Sequence, residues 1–316
     1  MTEGILIVGT GALASLFAAK ISATGIPVTM LGNWKEGLAA LRLYGVTLVQ
    51  PDGKQKAYPI RVVDDSSDCV GMKYALVLVK SWQTARAAKQ LKKCLSDDGI
   101  AVTLQNGLGN REILESILGE ERVALGVTTT GATLLSSGRV RPGGQGLISL
   151  GEHPRLEPIR EYLKSAGFKL ETIKNTDTLI WSKLVVNAAI NPITALLKVS
   201  NGSLLSRASA RQLSADLAKE VASLASAQGI QLSFKNPVAA AEKVAKGTEN
   251  NHSSMYQDIQ RGAPTEIDAI CGEVVRLGKE LGVQTPVNYT VWKLINAIIE
   301  GLNMGIEKEY KGKSND

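Results

Sequence analysis

About the first 30 residues have the pattern of a strand, a glycine turn and a helix in succession, and few folds contain these elements in this order. Residues Ile5–Val8 are a continuous β-prone apolar run, typical of a strand buried on both faces of a parallel sheet. The chain then passes through a glycine turn into an apolar helical stretch that closes at Gly25, and Val28–Leu31 is the next strand. The order predicts a βαβ unit and, with it, an α/β domain.

The turn between the first strand and the helix has the pattern GxGxxA, an accepted form of the dinucleotide fingerprint. Gly9 permits the tight turn, Gly11 lets the backbone approach a pyrophosphate, and Ala14 allows the helix to pack closely on the strand. The phosphates would lie at the helix N-terminus, where free N–H groups and the helix dipole favour anions. The predicted cofactor-binding residues of this turn are Gly9, Thr10, Gly11, Ala12, Leu13 and Ala14.

The end of the second strand bears on the choice of cofactor. Folds that bind NAD usually place an acidic residue there, which holds the ribose 2′-hydroxyl. Here the strand runs into Gly32-Asn33-Trp34-Lys35, with no acid before Glu36, and Lys35 or Arg42 could attract a 2′-phosphate. The sequence therefore favours NADPH (NADP⁺) over NADH, although Lys35 can also be read as a surface residue at the start of a helix.

Three further positions follow predicted strands of the same sheet. Apolar strands at 74–79, 100–104 and 122–130 lead respectively to Lys80, Asn106 and the segment that contains Ala132. In a parallel α/β sheet, ligands bind beyond the carboxyl ends of the strands, so these residues are predicted to line the cofactor edge. Taken singly, Lys80 could be a solvated loop residue and Asn106-Gly107 an ordinary turn.

From about Asn175 the pattern changes from alternating strands and helices to helices alone. The change predicts two domains, a Rossmann-type dinucleotide-binding domain at 1–174 and an all-helical substrate and catalytic domain at 175–316. Helices are predicted at 177–197, 207–229, 237–247, 251–261, 265–281 and 287–304.

The first of these helices is apolar almost all round but carries Lys183, Asn187 and Asn191 at spacings of four residues. At 3.6 residues per turn they form one stripe, which suits a helix facing a polar ligand. The alternative is a lysine that extends to solvent and two amides that bond to nearby backbone. Pro192 removes a backbone donor and is predicted to bend or end the helix.

A second polar cluster lies in residues 250–268. Asn251 and Ser254 are three residues apart, so on a helix they would share a face. Thr265 is a candidate N-cap with Asp268 three residues later, and Glu266 is either a surface acid that favours the helix dipole or a site residue. The Asn201-Gly202 pair is likewise either a turn or a ligand contact.

The amino-acid composition argues against several classes of function. Aromatic residues make up 4% of the 316 residues and the net charge of +6 is dispersed, which argues against nucleic-acid binding. With only two histidines, neither a histidine-based metal site nor a Ser/His/Asp triad is expected. Three widely spaced cysteines predict a cytoplasmic protein without structural disulfides, and no apolar run is predicted to span a membrane.

With these residues in view, the chain resembles the ketopantoate reductase (2-dehydropantoate 2-reductase) family over essentially its whole length. The two most specific motifs are WxKLxxNxxINPxTA and SSMxQDI…TEID. The matching pieces are GTGALAS, VKSWQT, LQNGLG, GVTTTGA, WSKLVVNAAINPITAL, SNG and NHSSMYQDI with PTEID.

The resemblance implies NADPH-dependent reduction of 2-dehydropantoate to (R)-pantoate, a step towards pantothenate and coenzyme A. It implies that Lys183 is the general acid and that Lys80, Asn106, Ala132 and Glu266 contact the cofactor or complete the site. The positions it implies for substrate binding are Asn187, Asn191, Asn201, Asn251 and Ser254. The family often carries an Arg near the end of the second strand, where this chain has Asn33.

The chemistry of such a reduction indicates a role for several of the polar residues. A hydride added to the keto carbon leaves negative charge on the ketone oxygen, which a nearby cation can stabilise and protonate. Lys183 suits this role because partial desolvation lowers the pKa of an ammonium towards the operating pH. Glu266 could orient the ammonium, Asn251 and Ser254 could hold the substrate carboxylate, and Asn106 could contact both cofactor and substrate.

Two alternatives stay open. The first is a related reductase that acts on another 2-keto acid or an imine, and the second is a non-catalytic NADP-binding sensor. A sensor needs Gly9 and Gly11 but has no use for the polar stripe that begins at Lys183. The expected partner is thus a small 2-keto acid, and the helical half could also carry a homodimer interface.

Overall fold

The structure, a computed structural model, describes residues 4–144 and 146–312, with side chains described up to residue 302. It divides into two compact units, Met1–Gln105 with Gly109–Thr176 and Asn106–Leu108 with Asp177–Asp316. The ends of the predicted domains, 1–3 and 313–316, and also Gln145, lie outside the described residues.

The first unit contains the described strands and five helices between them. The strands are β1 (Ile5–Val8), β2 (Val28–Leu31), β3 (Val46–Val49), β4 (Gln55–Tyr58), β5 (Arg61–Val63), β6 (Met72–Val77), β7 (Leu95–Thr103), β8 (Val123–Thr128), β9 (Ala132–Ser136), β10 (Arg139–Pro142), β11 (Leu147–Gly151) and β12 (Lys169–Ile173). The helices are α1 (Ala12–Ser22), α2 (Lys35–Tyr44), α3 (Thr84–Cys94), α4 (Asn110–Leu118) and α5 (Glu157–Ser165).

Eight strands form the main sheet in the order β12-β11-β8-β7-β6-β1-β2-β5. All neighbouring pairs are parallel except β11 with β8. Every residue of β1 and β2 is buried, which explains their continuous apolar sequences, since both faces of a parallel sheet are covered. The sheet, with helices packed on it, is the Rossmann-type architecture that the glycine turn predicted.

Helix α1 is apolar on nearly every side because a second sheet also covers it. The four strands β4-β3-β10-β9 form this sheet, and β3, β9 and β10 contact α1. Strands β3 and β4 form an antiparallel hairpin in this sheet, whereas β5 joins the main sheet. Strand β9 was not predicted from the sequence; it pairs with β10.

The second unit is helical. Its α-helices are α6 (Thr176–Leu197, of which Thr176 belongs to the first unit), α7 (Ala208–Ala227), α8 (Pro237–Gly247), α9 (Ser254–Gln260), α10 (Glu273–Leu281) and α11 (Pro286–Gly312). By length and composition α6 could cross a membrane, contrary to the sequence prediction that no run could do so. However, 67% of its apolar window is buried inside the protein, as in a core helix.

Three local predictions in the second unit differ from the structure in whole or in part. Helix α6 reaches Leu197, the predicted end, so of the two effects predicted for Pro192 the end of the helix is wrong. The helix predicted from 251 begins only at Ser254, so Asn251 and Ser254 do not share a helical face. The helix predicted at 265–281 contains a π-helical turn, Asp268–Gly272, before α10. In each case tertiary contacts, described below, fix the backbone.

Helix α11 begins against a carboxylate from another helix. Glu220 on α7 accepts hydrogen bonds from the backbone N–H groups of Val287 (2.8 Å) and Asn288 (2.9 Å). It also accepts one from Asn288 Nδ2 at 2.8 Å, and Asn288 is fully buried. A carboxylate here satisfies donors that the helix cannot satisfy itself and complements the positive end of its dipole.

We expect Glu220→Ala to lower the free energy of unfolding by about 2–3 kcal/mol, because it leaves the buried donors of α11 unpaired. The measurement is urea denaturation followed by far-UV circular dichroism. Glu280→Ala is the control, since it removes only an exposed ion pair with Arg276 and should change stability by about 0.5 kcal/mol or less. Equal losses in the two variants would contradict the capping role.

Candidate active site

The glycine turn of the first unit is built around Gly9, immediately after β1. Its backbone N–H donates to the carbonyl of Leu31 at 2.8 Å, and its φ is +131°. A Cβ at this position would lie 2.8 Å from the carbonyl oxygen of Leu78. The backbone of the protein itself therefore requires glycine here.

At Gly11, in contrast, the protein itself does not require glycine. It precedes α1 in extended backbone with φ −81° and ψ −172°, and a Cβ there would meet nothing within 4 Å. The first turn of α1 carries no acidic residue. Open space above the free N–H groups of a helix start is what a dinucleotide phosphate needs, so the residues present fit such a cofactor.

Thr10, between the two glycines, packs against Gly32, a residue that was not predicted to contribute to the turn. Thr10 is buried, and a Cβ on Gly32 would lie 2.6 Å from its Cγ2. Gly32 follows β2 directly, so the absence of a side chain there lets the turn pack against the end of the second strand. In the sequence, the glycine directly after β2 is the signal that could have predicted this close packing.

Some of the residues after β2 form side-chain interactions, and others are exposed to solvent. The Trp34 indole N–H donates to Glu36 Oε2 at 2.6 Å. Arg42 forms an ion pair with Asp64 at 3.1 Å. Asn33 and Lys35 are exposed. Of the two cations considered for a 2′-phosphate, Arg42 is thus already balanced by a carboxylate.

A polar network fixes the loop after β6. Gln105 Nε2 donates to the carbonyl of Val79 at 3.0 Å and to Thr84 Oγ1 at 2.8 Å. The Thr84 hydroxyl in turn donates to Asn110 Oδ1 at 2.7 Å, and both of these side chains are buried. The network therefore positions the backbone directly before Lys80, which is partly buried. Gln105 and Thr84 were missed by the sequence reading, which stopped at the neighbouring Lys80 and Asn106.

In the second unit, the Lys183 ammonium on α6 interacts electrostatically with the Glu266 carboxylate. Burial lowers the pKa of the Lys183 ammonium to about 8, and the Glu266 carboxylate opposes part of this shift. An ammonium with such a pKa can hold a proton at neutral pH and release it readily.

Glu266 is 5% exposed, so it is not the surface acid that one reading allowed. Its Oε2 accepts a hydrogen bond from Asn106 Nδ2 at 3.0 Å. The predicted cap beside it is present in part, because Thr265 Oγ1 accepts from the Ile267 N–H at 3.2 Å. Asp268 does not complete that cap; its carboxylate accepts from the Trp292 indole at 2.7 Å.

The loop that carries Asn106 is held by the π-helical turn. The N–H of Leu108 donates to the carbonyl of Ala269 at 2.9 Å. A Cβ on Gly107, whose φ is +82°, would lie 2.5 Å from the same oxygen. The irregular turn thus places the Asn106 loop against the segment that follows Glu266, and π-turns are frequent at functional sites.

The remaining polar candidates of the second unit are distributed over three segments. The amides of Asn187 and Asn191 find no side-chain partner within residues 4–144 and 146–302, and Asn191 is buried. Asn201 donates through its backbone N–H to the carbonyl of Asn251 at 2.9 Å. Ser254, the first residue of α9, is exposed, as is Asn251.

Asn201 has an acceptor that the described protein does not use. Its Nδ2 donates to Thr248 Oγ1 at 2.9 Å, whereas its buried Oδ1 has no hydrogen-bond partner among the described residues. A buried acceptor without a donor is costly, so such an atom is well suited to receive a hydroxyl from a ligand.

Comparisons with known proteins bear on these features. The family model for ketopantoate reductase PanE/ApbA matches residues 5–155, and the model for its C-terminal part matches residues 175–299. The chain is 34% identical to the 2-dehydropantoate 2-reductase of Archaeoglobus fulgidus, covering 95% of this chain and 99% of that one.

Two solved structures have similar folds. A PanE/ApbA family ketopantoate reductase from Ralstonia eutropha has a TM-score of 0.88 at 26% identity, covering 95% of this chain and 99% of that one. A D-mandelate dehydrogenase, in a ternary structure with NADH and anilino(oxo)acetate, has a TM-score of 0.89 at 25% identity with the same coverage.

Substitutions of Gly9 and Gly11 should have different effects, one on folding and the other on cofactor binding. We expect Gly11→Val to weaken NADPH binding roughly tenfold or more without loss of folding, because its side chain would enter the space proposed for phosphate. Gly9→Val should instead impair folding, since it meets protein backbone. Isothermal titration with NADPH and thermal unfolding separate the two effects. Gly247→Val, where a Cβ also meets nothing within 4 Å, is the control and should keep wild-type affinity.

Proposed function

Since the chain belongs to the ketopantoate reductase PanE/ApbA family, we propose that it is an NADPH-dependent 2-dehydropantoate 2-reductase. It would reduce ketopantoate to (R)-pantoate, a step of pantothenate and coenzyme A synthesis. The observation that carries this proposal is the cluster of Lys183, Glu266 and Asn106, in which a lysine with a lowered pKa lies near a buried carboxylate.

A bound nicotinamide cofactor supplies the hydride that adds to the keto carbon. The protein must then stabilise and protonate the oxygen on which negative charge develops. Lys183 performs both tasks in this proposal: its ammonium attracts the developing alkoxide and transfers a proton to it. Because burial has already lowered its pKa to about 8, the ammonium gives up the proton more easily than an exposed lysine would.

Glu266 and Asn106 orient the proton donor and the substrate in this scheme. The Glu266 carboxylate attracts the ammonium of Lys183 and keeps it protonated at neutral pH. The hydrogen bond from Asn106 Nδ2 occupies one oxygen of that carboxylate and fixes its orientation. Asn106 is also proposed to contact both the cofactor and the substrate.

Substrate recognition is assigned to the amides and the hydroxyl of the second unit. We assign Asn187 and Asn191 to the hydroxyl end of ketopantoate, and Asn251 and Ser254 to its carboxylate. Asn201 joins this set because its unpaired Oδ1 can accept a substrate hydroxyl. Such hydrogen bonds orient a small, flexible acid for hydride addition.

Cofactor recognition is assigned to the first unit. The pyrophosphate would be bound by the backbone of Gly9–Ala14, with Lys80 and Ala132 as further cofactor contacts. Exposed Lys35 supports the choice of NADPH, because it is the cation after β2 that no carboxylate in the described part of the chain balances.

A second candidate has a specific observation in its favour. The ternary D-mandelate dehydrogenase structure, at a TM-score of 0.89, contains NADH and anilino(oxo)acetate, a carboxylate with an adjacent oxo group and an aromatic ring. A reductase of aromatic 2-keto acids that uses NADH is therefore the alternative to be tested.

The function is tested by following nicotinamide absorbance with four combinations, NADPH or NADH with ketopantoate or phenylglyoxylate. We expect the highest kcat/KM with NADPH and ketopantoate. Lys35→Ala should lower kcat/KM for NADPH roughly tenfold and leave NADH almost unchanged, because only NADPH carries the 2′-phosphate. A preference for phenylglyoxylate with NADH would replace this proposal with the alternative, and binding without turnover would favour a sensor.

The role of Lys183 predicts a pH dependence with a defined sign. The protonated form is active in reduction, so kcat/KM should be constant below pH 8 and fall as pH rises through about 8. Lys183→Ala should lower kcat by about 10²–10³-fold, abolish this break and leave NADPH affinity close to wild type. Lys246→Ala, an exposed lysine of the same unit, is the control and should keep both rate and profile. Near-normal turnover of Lys183→Ala would refute the assignment.

A further inference from the structure

Two buried hydroxyls of the second unit have no part in the proposed reaction. Thr194 lies on α6 and is fully buried, and Ser253 precedes α9 and is 5% exposed. The Thr194 hydroxyl donates to Ser253 Oγ at 2.7 Å. Residues so buried do not serve solubility, and a hydrogen bond between residues 59 positions apart joins two segments of the chain.

Ser253 completes a chain of hydrogen bonds. Its Oγ accepts from Thr194 and from the backbone N–H of Tyr256 at 3.2 Å, which makes it the N-cap of α9. Its own proton is directed to the carbonyl of Asn191, at 3.4 Å. The hydroxyl therefore uses both of its acceptor positions and its donor, and each partner belongs to α6 or α9.

The position of this chain on α6 has a physical reason. Pro192 has no N–H, so the helix lacks one backbone hydrogen bond in the turn that contains Asn191. Thr194 Oγ1 lies 2.9 Å from the carbonyl of Ile190 and 3.0 Å from that of Asn191. Thr194 has one hydroxyl proton, which it donates to Ser253, so of these two carbonyls only that of Asn191 receives a side-chain proton, from Ser253. The pair thus contacts α6 beside the turn that Pro192 interrupts.

We propose that Thr194 and Ser253 are a positioning pair for substrate binding. The Ser253 hydroxyl contacts the backbone of Asn191 and is also the N-cap of α9, whose first residue is Ser254. It therefore fixes the distance between Asn191 and Ser254. This inference rests on the proposed function, in which Asn191 and Ser254 hold opposite ends of the keto acid. The pair is too buried to bind the substrate itself and acts through its two neighbours.

The competing explanation is that Ser253 only stabilises α9. An N-cap contributes about 1 kcal/mol to stability whatever the role of its helix. A loss of stability in Ser253→Ala therefore cannot separate the two explanations, whereas a change confined to the KM for the keto acid can.

The experiment compares Thr194→Val, Thr194→Ser and Ser253→Ala by steady-state kinetics. Thr194→Val and Ser253→Ala should each raise the KM for ketopantoate roughly tenfold, with a smaller change in kcat and an unchanged KM for NADPH. Thr194→Ser keeps the hydroxyl and should stay close to wild type. If the two residues act as a pair, the double variant should be little worse than either single one.

The matched control is Asn236→Ala, which removes the N-cap of α8 in the same unit, where Asn236 Oδ1 accepts from the Ala239 N–H at 3.0 Å. It should lose similar stability and keep the wild-type KM. An unchanged KM in Ser253→Ala, or an equal rise in Asn236→Ala, would overturn the positioning role while the reductase activity stood. A wild-type protein that reduces no 2-keto acid would instead overturn the proposed function, and the substrate role of the pair with it.

Discussion

The candidate site depends on the partial burial of one ammonium group. Lys183 lies on a helix that is otherwise the core of its unit, so its charge is poorly solvated and its pKa falls to about 8. Unpaired, such a charge would be expelled or neutralised. The buried Glu266 offsets part of the cost and keeps the lysine charged near neutrality. Stability alone would favour an apolar residue here, so the charge is better explained by chemistry than by folding.

Helix α6 combines two roles that usually conflict. Its buried apolar residues, such as Trp181 and Val185, make it a core element of the second unit, while Lys183, Asn187 and Asn191 form a polar stripe along it. A rigid core helix holds polar groups more accurately than a loop can. The difficult point is Pro192, where the backbone ladder lacks one hydrogen bond, and beside it the buried hydroxyls of Thr194 and Ser253 join α6 to the start of α9.

Most of the fold could be predicted from local patterns, and the exceptions have long-range causes. Strands β1 and β2 and helix α8 have the predicted bounds because apolar runs, glycine and an Asn-Pro start define them locally. Helix α6 continues past Pro192 because its residues there are buried in the core of the second unit, which offsets the loss of one backbone donor. The π-turn at Asp268–Gly272 depends on a loop more than 150 residues earlier, which donates to Ala269. In the site, spacing gave the Lys183 stripe, whereas the burial of Glu266 required the tertiary structure.

The glycine turn shows how one motif can combine two unrelated constraints. Gly9 is demanded by the fold, because its φ is positive and the carbonyl of Leu78 occupies the space that a side chain would need. Gly11 is under no such demand, since its backbone is ordinary and its surroundings are empty of protein atoms. A residue that nothing in the protein restricts to glycine, within a turn where everything else is packed, is explained by what must approach it from outside. The protein atoms around the two glycines therefore separate the structural half of the fingerprint from the half proposed to serve the ligand.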